Sequence, residues 1–270
     1  MVTKAVSTWS LHRTLGRPEG EGEDVGGGVS TVPGALSLLD LPAELRARGY
    51  GSVQLLYPHL ESRDPAYLAE LRAALDDAGI ELEAMLIGAG DLTGPDADAA
   101  EALIGEWLDA SAALGAKRAR TAAGHAAPTP ETIRESATRL KRLAERQPDV
   151  RLVTENWWGL LPDADAVLAL LEETGDAVGF LMDLDNWSGP DKYDQLARVA
   201  PLAETCHAKC RFTAAGPDKE DFRRSLGVLK DAGYDGPLAL IYDGPDDDEW
   251  GCLEIEYAIV TEIFGDNVSS

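Results

Sequence analysis

A regular alternation of short apolar runs and longer segments of helical spacing carries through this chain of 270 residues, and few folds accommodate it. AVSTWS (5–10) is the first run, and a helical pattern, LSLLDLPAELRARGY, starts at about 36. SVQLLY (52–57), ELEAMLIGAG (81–90), KRARTAAG (117–124) and RLVTEN (151–156) follow, separated by helical stretches at 65–79, 96–115 and 129–147. Next come ADAVLALLEET, GFLMDLDN (179–186), DKYDQLARVAPLA, ETCHAKCR (204–211), KEDFRRSLGVLKDAG, LALIYD (238–243) and a closing helix from about 248 to 264. Gly79 and Gly115 stand where two helices should stop, while Thr129 can cap the next and Pro130 open it. Strands alternating with helices imply βαβ units and a parallel sheet, and eight units imply an α/β fold of one kind, a closed (β/α)8 TIM barrel. A doubly wound open sheet is the alternative, but no G-x-G-x-x-G follows the first strand. With no linker and no larger repeat, residues 1–270 are expected to form one domain.

One segment interrupts the pattern. GRPEGEGEDVGGGVSTVPG (16–34) is rich in Gly and acid and can bury little apolar surface, so it is expected to be a flexible loop. Because it leaves the first strand at its C-terminal end, a lid over the site is the functional alternative. Composition narrows the partners: 24 Lys+Arg against 48 Asp+Glu give a net charge of −24, and no basic cluster offers a surface to nucleic acid or to an anionic membrane. The three cysteines, Cys206, Cys210 and Cys252, are too few for a disulfide framework and fit reduced thiols. The start lacks the apolar run of a signal peptide and no stretch is long enough to span a bilayer, so a cytoplasmic location is expected.

In a TIM barrel the catalytic groups come from the C-terminal strand ends and the loops after them. All four histidines fall there: His12, His59, His125 and His207. So do four of the six tryptophans, Trp9, Trp157, Trp158 and Trp187, with Tyr57 and Tyr242 nearby. Aromatic rings in a polar cleft can pack on the C–H faces of sugars while carboxylates and amides take the hydroxyls, although Trp also fills barrel tops for packing alone. Arg118 and Arg120 alternate onto one face of the fourth strand, and Arg120, nearer the mouth, is a candidate for binding an anion. Glu155, Asp183 and His207 end strands five, six and seven, which lie about 4.8 Å apart, so the three can converge on one point. Two carboxylates and an imidazole suit a divalent ion, Mn²⁺, Mg²⁺, Fe²⁺ or Zn²⁺, with positions left open to substrate.

At these residues the chain resembles the sugar phosphate isomerase/epimerase superfamily, whose xylose isomerase-like TIM barrel is shared with family 2 AP endonucleases. TENWWG (154–159) looks like its strand 5 metal-ligand Glu followed by Asn, and MDLDN (182–186) like its strand 6 D-x-G-N. TCHAKC (205–210) looks like H-x-H-x-K-D, and AGYDGPLALIYDG (232–244) like the strand 8 element; STWSL and YGSVQLLYPHL are similar to strands 1 and 2. The resemblance implies metal ligation by Glu155, Asp183 and His207, with Glu155 also acting as a base. A homodimer is compatible with it, but no sequence feature locates an interface.

The departures redirect the expected chemistry. The family's fourth ligand is a strand 8 Glu, and Ile241 stands there; Thr205 replaces a His, Cys210 an Asp and Gln54 the usual strand 2 Glu. Asp243, two residues past Ile241, is a partial substitute if the strand end bends inward. Epimerisation next to a carbonyl needs proton transfer on both faces, whereas aldose–ketose isomerisation through an enediol can use one base. The expectation is therefore a metal-dependent, isomerase-like enzyme acting on a sugar, keto sugar or polyol, phosphorylated or not. Glu155 and Lys209 are its catalytic candidates; Trp9, His12, His59, Arg120, His125, Trp157, Asn186, Trp187, Arg211, Tyr242 and Asp243 are candidates for substrate contact. A noncatalytic barrel that binds carbohydrate or a protein partner is the competing reading. A DNA-repair endonuclease is disfavoured because Asn186 and Thr205 stand where further metal ligands are needed and the net charge is −24.

Overall fold

A computed structural model describes residues 4–16 and 34–265. Eight parallel strands close a barrel in the order β1-β8-β7-β6-β5-β4-β3-β2: β1 (Lys4–Ser7), β2 (Ser52–Leu56), β3 (Glu81–Ile87), β4 (Arg118–Thr121), β5 (Arg151–Glu155), β6 (Gly179–Asp183), β7 (Ala203–Lys209) and β8 (Leu238–Ile241). A helix follows each: α1 (Leu41–Ala47), α2 (Pro65–Ala78), α3 (Ala97–Leu114), α4 (Pro130–Arg146), α5 (Ala164–Thr174), α6 (Lys192–Val199), α7 (Lys219–Asp231) and α8 (Glu249–Phe264). A short antiparallel ribbon, Phe212–Thr213 with Gly216–Pro217, lies between β7 and α7. The Gly-rich segment expected to form a loop or lid falls almost wholly on residues 17–33, outside the described residues. Among the described residues no helix is long and apolar enough to cross a membrane.

Local chemistry sets the element ends, several of them earlier than the apolar runs suggest. β1 stops at Ser7 rather than at Ser10, because the Ser7 side chain accepts the Trp9 N–H and turns the chain into a 3₁₀ turn. β6 stops at Asp183 instead of Asn186, since Asp183 Oδ1 accepts the N–H groups of Asp185 and Asn186 at 2.6 and 2.8 Å. β8 stops at Ile241 because the next N–H, that of Tyr242, turns to Ser10 Oγ at 2.9 Å. The helical pattern from residue 36 becomes a helix only at Leu41, with Pro42 in its first turn. α4 opens on a capping box between Thr129 and Thr132, and α2 and α3 end at Gly79 and Gly115 in the left-handed conformation that glycine adopts without a Cβ clash.

The apolar core lies between the barrel wall and the helices, where Leu71, Ile104, Leu140, Leu170 and Leu226 are buried. Inside the barrel the filling is partly polar, although branched apolar side chains commonly predominate there. Gln54 donates to Glu83 Oε2 at 2.5 Å and to Thr205 Oγ1 at 3.2 Å, while Arg118 Nη1 holds Glu83 Oε1 at 3.1 Å. Burial raises the Glu83 carboxyl above the ordinary carboxylate range, and Arg118 opposes that rise. Arg118 is partly exposed and keeps Glu204 within 3.9 Å, but the buried Gln54 amide would lose its acceptor, so Glu83→Ala should cost about 1–3 kcal/mol of stability. A lowered urea midpoint at unchanged m-value is the expected signature.

Candidate active site at the barrel mouth

Three neighbouring strands deliver the central cluster. Glu155 ends β5, Asp183 ends β6, and His207 on β7 is the register partner of Asp183. All three are buried, and one ligating atom from each lies within 4.8 Å of the others. His207 Nδ1 is 3.4 Å from Glu155 Oε1 and 3.6 Å from Asp183 Oδ2. Asn186 Nδ2 donates to Glu155 Oε1 at 2.8 Å, and Arg120 Nε lies 3.0 Å from Glu155 Oε2. Burial disfavours a charged His207, but Glu155 and Asp183 outweigh it and raise the imidazole pKa to about 9. Burial works against the charged Asp183 as well; its hydrogen bond with His207 and the charge of Lys209 nevertheless hold its carboxyl below the usual range. Lys209 is likewise kept protonated against burial, by Asp183 and Asp243.

The donor set fits a divalent cation. Gln54 spends its amide NH₂ on Glu83 and Thr205, so its Oε1 accepts from His207 Nε2 at 2.8 Å. Nε2 thus keeps its proton, so the one a divalent ion would displace from the cationic ring is that on Nδ1, whose lone pair would then face the two carboxylates as a metal ligand needs. Asp183 Oδ1 is committed to backbone N–H groups, whereas Oδ2 faces the imidazole. The fourth side of the cluster is apolar. Ile241 pairs with Lys209 in the β7–β8 register and lines the same cavity, where its side chain can neither ligate nor carry a proton.

The cavity above the cluster has a volume of about 350 Å³. Of the residues expected from sequence, Trp9, His125, Trp157, Asn186, Lys209 and Asp243 line it together with Glu155, Asp183 and His207. Asp243 is half exposed and pairs with Lys209 Nζ at 3.1 Å, outside the three-residue cluster, so it does not replace the missing ligand. The remaining candidates lie elsewhere. His12 Nδ1 contacts the Trp9 carbonyl at 2.9 Å, and buried His59 bonds Thr8 Oγ1 at 2.9 Å. Tyr242 is buried beside Phe212, its hydroxyl donating to the Asp246 carbonyl and accepting the Asp246 N–H. Arg211 is exposed and forks onto Asp185 at 2.8 and 3.2 Å. Arg120 is buried under Trp157 and spent on Glu155, so it is an internal ion pair and not a free anion site. Trp187 is buried with its indole N–H on the Leu161 carbonyl and faces a neighbouring chamber.

Sequence reasoning undervalued two residues. Gln54 reads as a lost Glu, yet it orients His207. Trp158 lines the cavity with its ring centroid 3.7 Å from that of His125 and 4.0 Å from that of Trp157. A paired Trp-Trp directly before a glycine was the available signal for Trp158; a lone Gln within an apolar run offers none for Gln54.

The fold has counterparts among known proteins. A protein from Streptomyces coelicolor provisionally named a hydroxypyruvate isomerase is 29% identical over 246 aligned residues, covering 78% of this chain and 88% of that one. A xylose isomerase-like TIM barrel protein from Mycobacterium smegmatis, crystallised with magnesium, superposes with a TM-score of 0.67 at 16% identity, covering 99% and 97% of the two chains. D-psicose 3-epimerase from Clostridium cellulolyticum, crystallised with D-tagatose, gives 0.71 at 14% identity, with all of both chains covered. At such identities the two structures speak to the fold alone. Residues 42–253, by contrast, match the family described as the xylose isomerase-like TIM barrel, and the chain belongs to that family.

Proposed function

We propose that this protein is a metal-dependent isomerase that moves a proton between the hydroxyl-bearing carbon and the adjoining carbonyl carbon of a sugar or keto sugar, with Glu155 as its single base. The convergence of Glu155, Asp183 and His207 opposite Ile241 carries this reading. Glu155, Asp183 and His207 would hold the divalent ion, which supplies polarisation of the substrate carbonyl and of the enediolate oxygen. Glu155 takes the proton from the hydroxyl-bearing carbon on the face it touches and returns it to the former carbonyl carbon on that same face, while the hydroxyl proton passes to the former carbonyl oxygen. Asn186 keeps its carboxylate aimed into the cavity. Ile241 puts no second carboxylate opposite Glu155, which favours isomerisation over epimerisation by a carboxylate pair. Lys209, anchored by Asp243, presents a positive charge to a substrate oxygen. Trp9, Trp157 and His125 provide ring faces that exclude water and pack on C–H groups. The name of the Streptomyces coelicolor relative is consistent with one-base aldose–ketose chemistry.

The expected behaviour is specific. Chelator-stripped protein should gain thermal stability on addition of Mn²⁺, Mg²⁺, Fe²⁺ or Zn²⁺, and Asp183→Asn should lose most of that gain; a Tm indifferent to all four ions would favour the noncatalytic carbohydrate-binding reading. Glu155→Gln should lower kcat on a turned-over substrate by about 10²–10⁴-fold, the usual worth of a positioned base. Turnover at the parent rate would remove Glu155 from that role. Ile241→Glu would add a fourth donor, so its calorimetric affinity for Mn²⁺ should rise above that of the parent.

A further inference from the structure

A second chamber of about 500 Å³ opens between the β5–α5 and β6–α6 loops and shares Trp157, Trp158 and Asn186 with the catalytic cavity. The two cavities therefore adjoin, with Trp157, Trp158 and Asn186 as their common wall. That wall is held at a cost. Trp158 has φ +58°, the one non-glycine residue among those described with positive φ, and such a bulky residue adopts that conformation only when its surroundings impose it. The imposing contacts are visible: a Cβ on Gly159 would lie 2.3 Å from the His125 carbonyl oxygen, and Leu160 N–H bonds the Gly124 carbonyl at 3.2 Å. Together they press the β5–α5 loop against the β4–α4 loop and lock Trp158 between His125 and Trp157.

The chamber's chemistry selects what can enter. Its positive charge is Lys192, whose ammonium is already bound by Asp221 at 2.6 Å and Asp185 at 3.2 Å. Its other charged lining groups are acids, Asp163 and Asp191, so phosphates and carboxylates are repelled. Gln195 gives its Oε1 to the Ala164 N–H at 2.9 Å, which fixes the amide and leaves its NH₂ for a ligand oxygen. Indole faces beside an oriented amide and two carboxylates match a neutral, polyhydroxylated ring, whose C–H face stacks and whose hydroxyls donate to the acids.

We infer that the substrate is a glycosidically extended sugar: the reacting unit occupies the catalytic cavity and a second, uncharged sugar ring occupies the chamber walled by Trp157, Trp158 and Trp187. The inference rests on the sugar isomerase reading above and specifies its substrate class. It is tested on the full chain with Mn²⁺ present, by calorimetric titration with glucose, fructose, maltose and cellobiose. At least one disaccharide should bind ten-fold or more tightly than either hexose. Ser188 is exposed and lines only the chamber, so Ser188→Trp should fill it, bring that disaccharide within two-fold of the hexoses and leave hexose affinity unchanged. Hexoses that bind as well as or better than both disaccharides, a disaccharide preference that survives Ser188→Trp, or no binding by any of the four would each overturn it. These titrations read chain length, whereas metal-dependent stability and the Glu155→Gln rate test the isomerase reading, so either can fail while the other stands.

Discussion

Side chains alternate along a strand with a period of two, so a slip of one residue in any of β5, β6 or β7 would turn its functional group from the barrel mouth to the helix layer. The register of these three strands is the constraint on which the site depends. Asp183 faces His207 directly, and Glu155 ends the adjoining strand, paired with Leu181 one pleat below Asp183. Closure of the parallel barrel leaves no edge along which that register could relax. The turns that follow keep it: Asp183 ends β6 by accepting the next two free N–H groups, and Asn156 binds both the N–H and the carbonyl of Asp183.

A polar column inside the barrel links that register to its chemistry. Arg118, Glu83, Gln54 and His207 form one chain of contacts from the barrel interior to the mouth, and each member decides the orientation of the next. Burying such groups gains little net stability, because desolvation offsets much of the attraction. What the column provides is a defined imidazole tautomer at a site where two carboxylates would otherwise accept a ring in several orientations. Arg120 does similar work for Glu155, holding one carboxylate oxygen so that the other is turned to Asn186 and His207.

Ile241 is an apolar member of a largely polar cavity lining. Its alkyl side chain lines the cavity beside Lys209 on the neighbouring strand and can neither ligate a cation nor carry a proton. A one-base site can still shuttle a proton between adjacent carbons on one face. Aromatic rings wall the mouth, and the positive φ of Trp158 is the structural cost of that wall.

Much of this was legible in one dimension. The strand and helix alternation, the stop signals at Gly79 and Gly115 and the Thr129–Pro130 start determine a barrel, because backbone periodicity and capping are local. The order of Glu155, Asp183 and His207 at successive strand ends determines the cluster for the same reason, since neighbouring parallel strands bring their ends together whatever the helices do. The fate of a polar side chain outside regular strand positions was not legible. His12, His59, Tyr242 and Arg211 sit in the right segments, yet loop geometry gives each a local partner and turns it away from the cavity. Arg120, by contrast, sits inside the barrel but is claimed by Glu155 from the neighbouring strand. Sequence by itself determined the fold and the three converging side chains; the tertiary structure decided which aromatic rings wall the mouth, that Gln54 orients His207, and that a second chamber opens beside the first. Those outcomes depend on contacts between loops distant in the chain, whose conformations no local periodicity specifies.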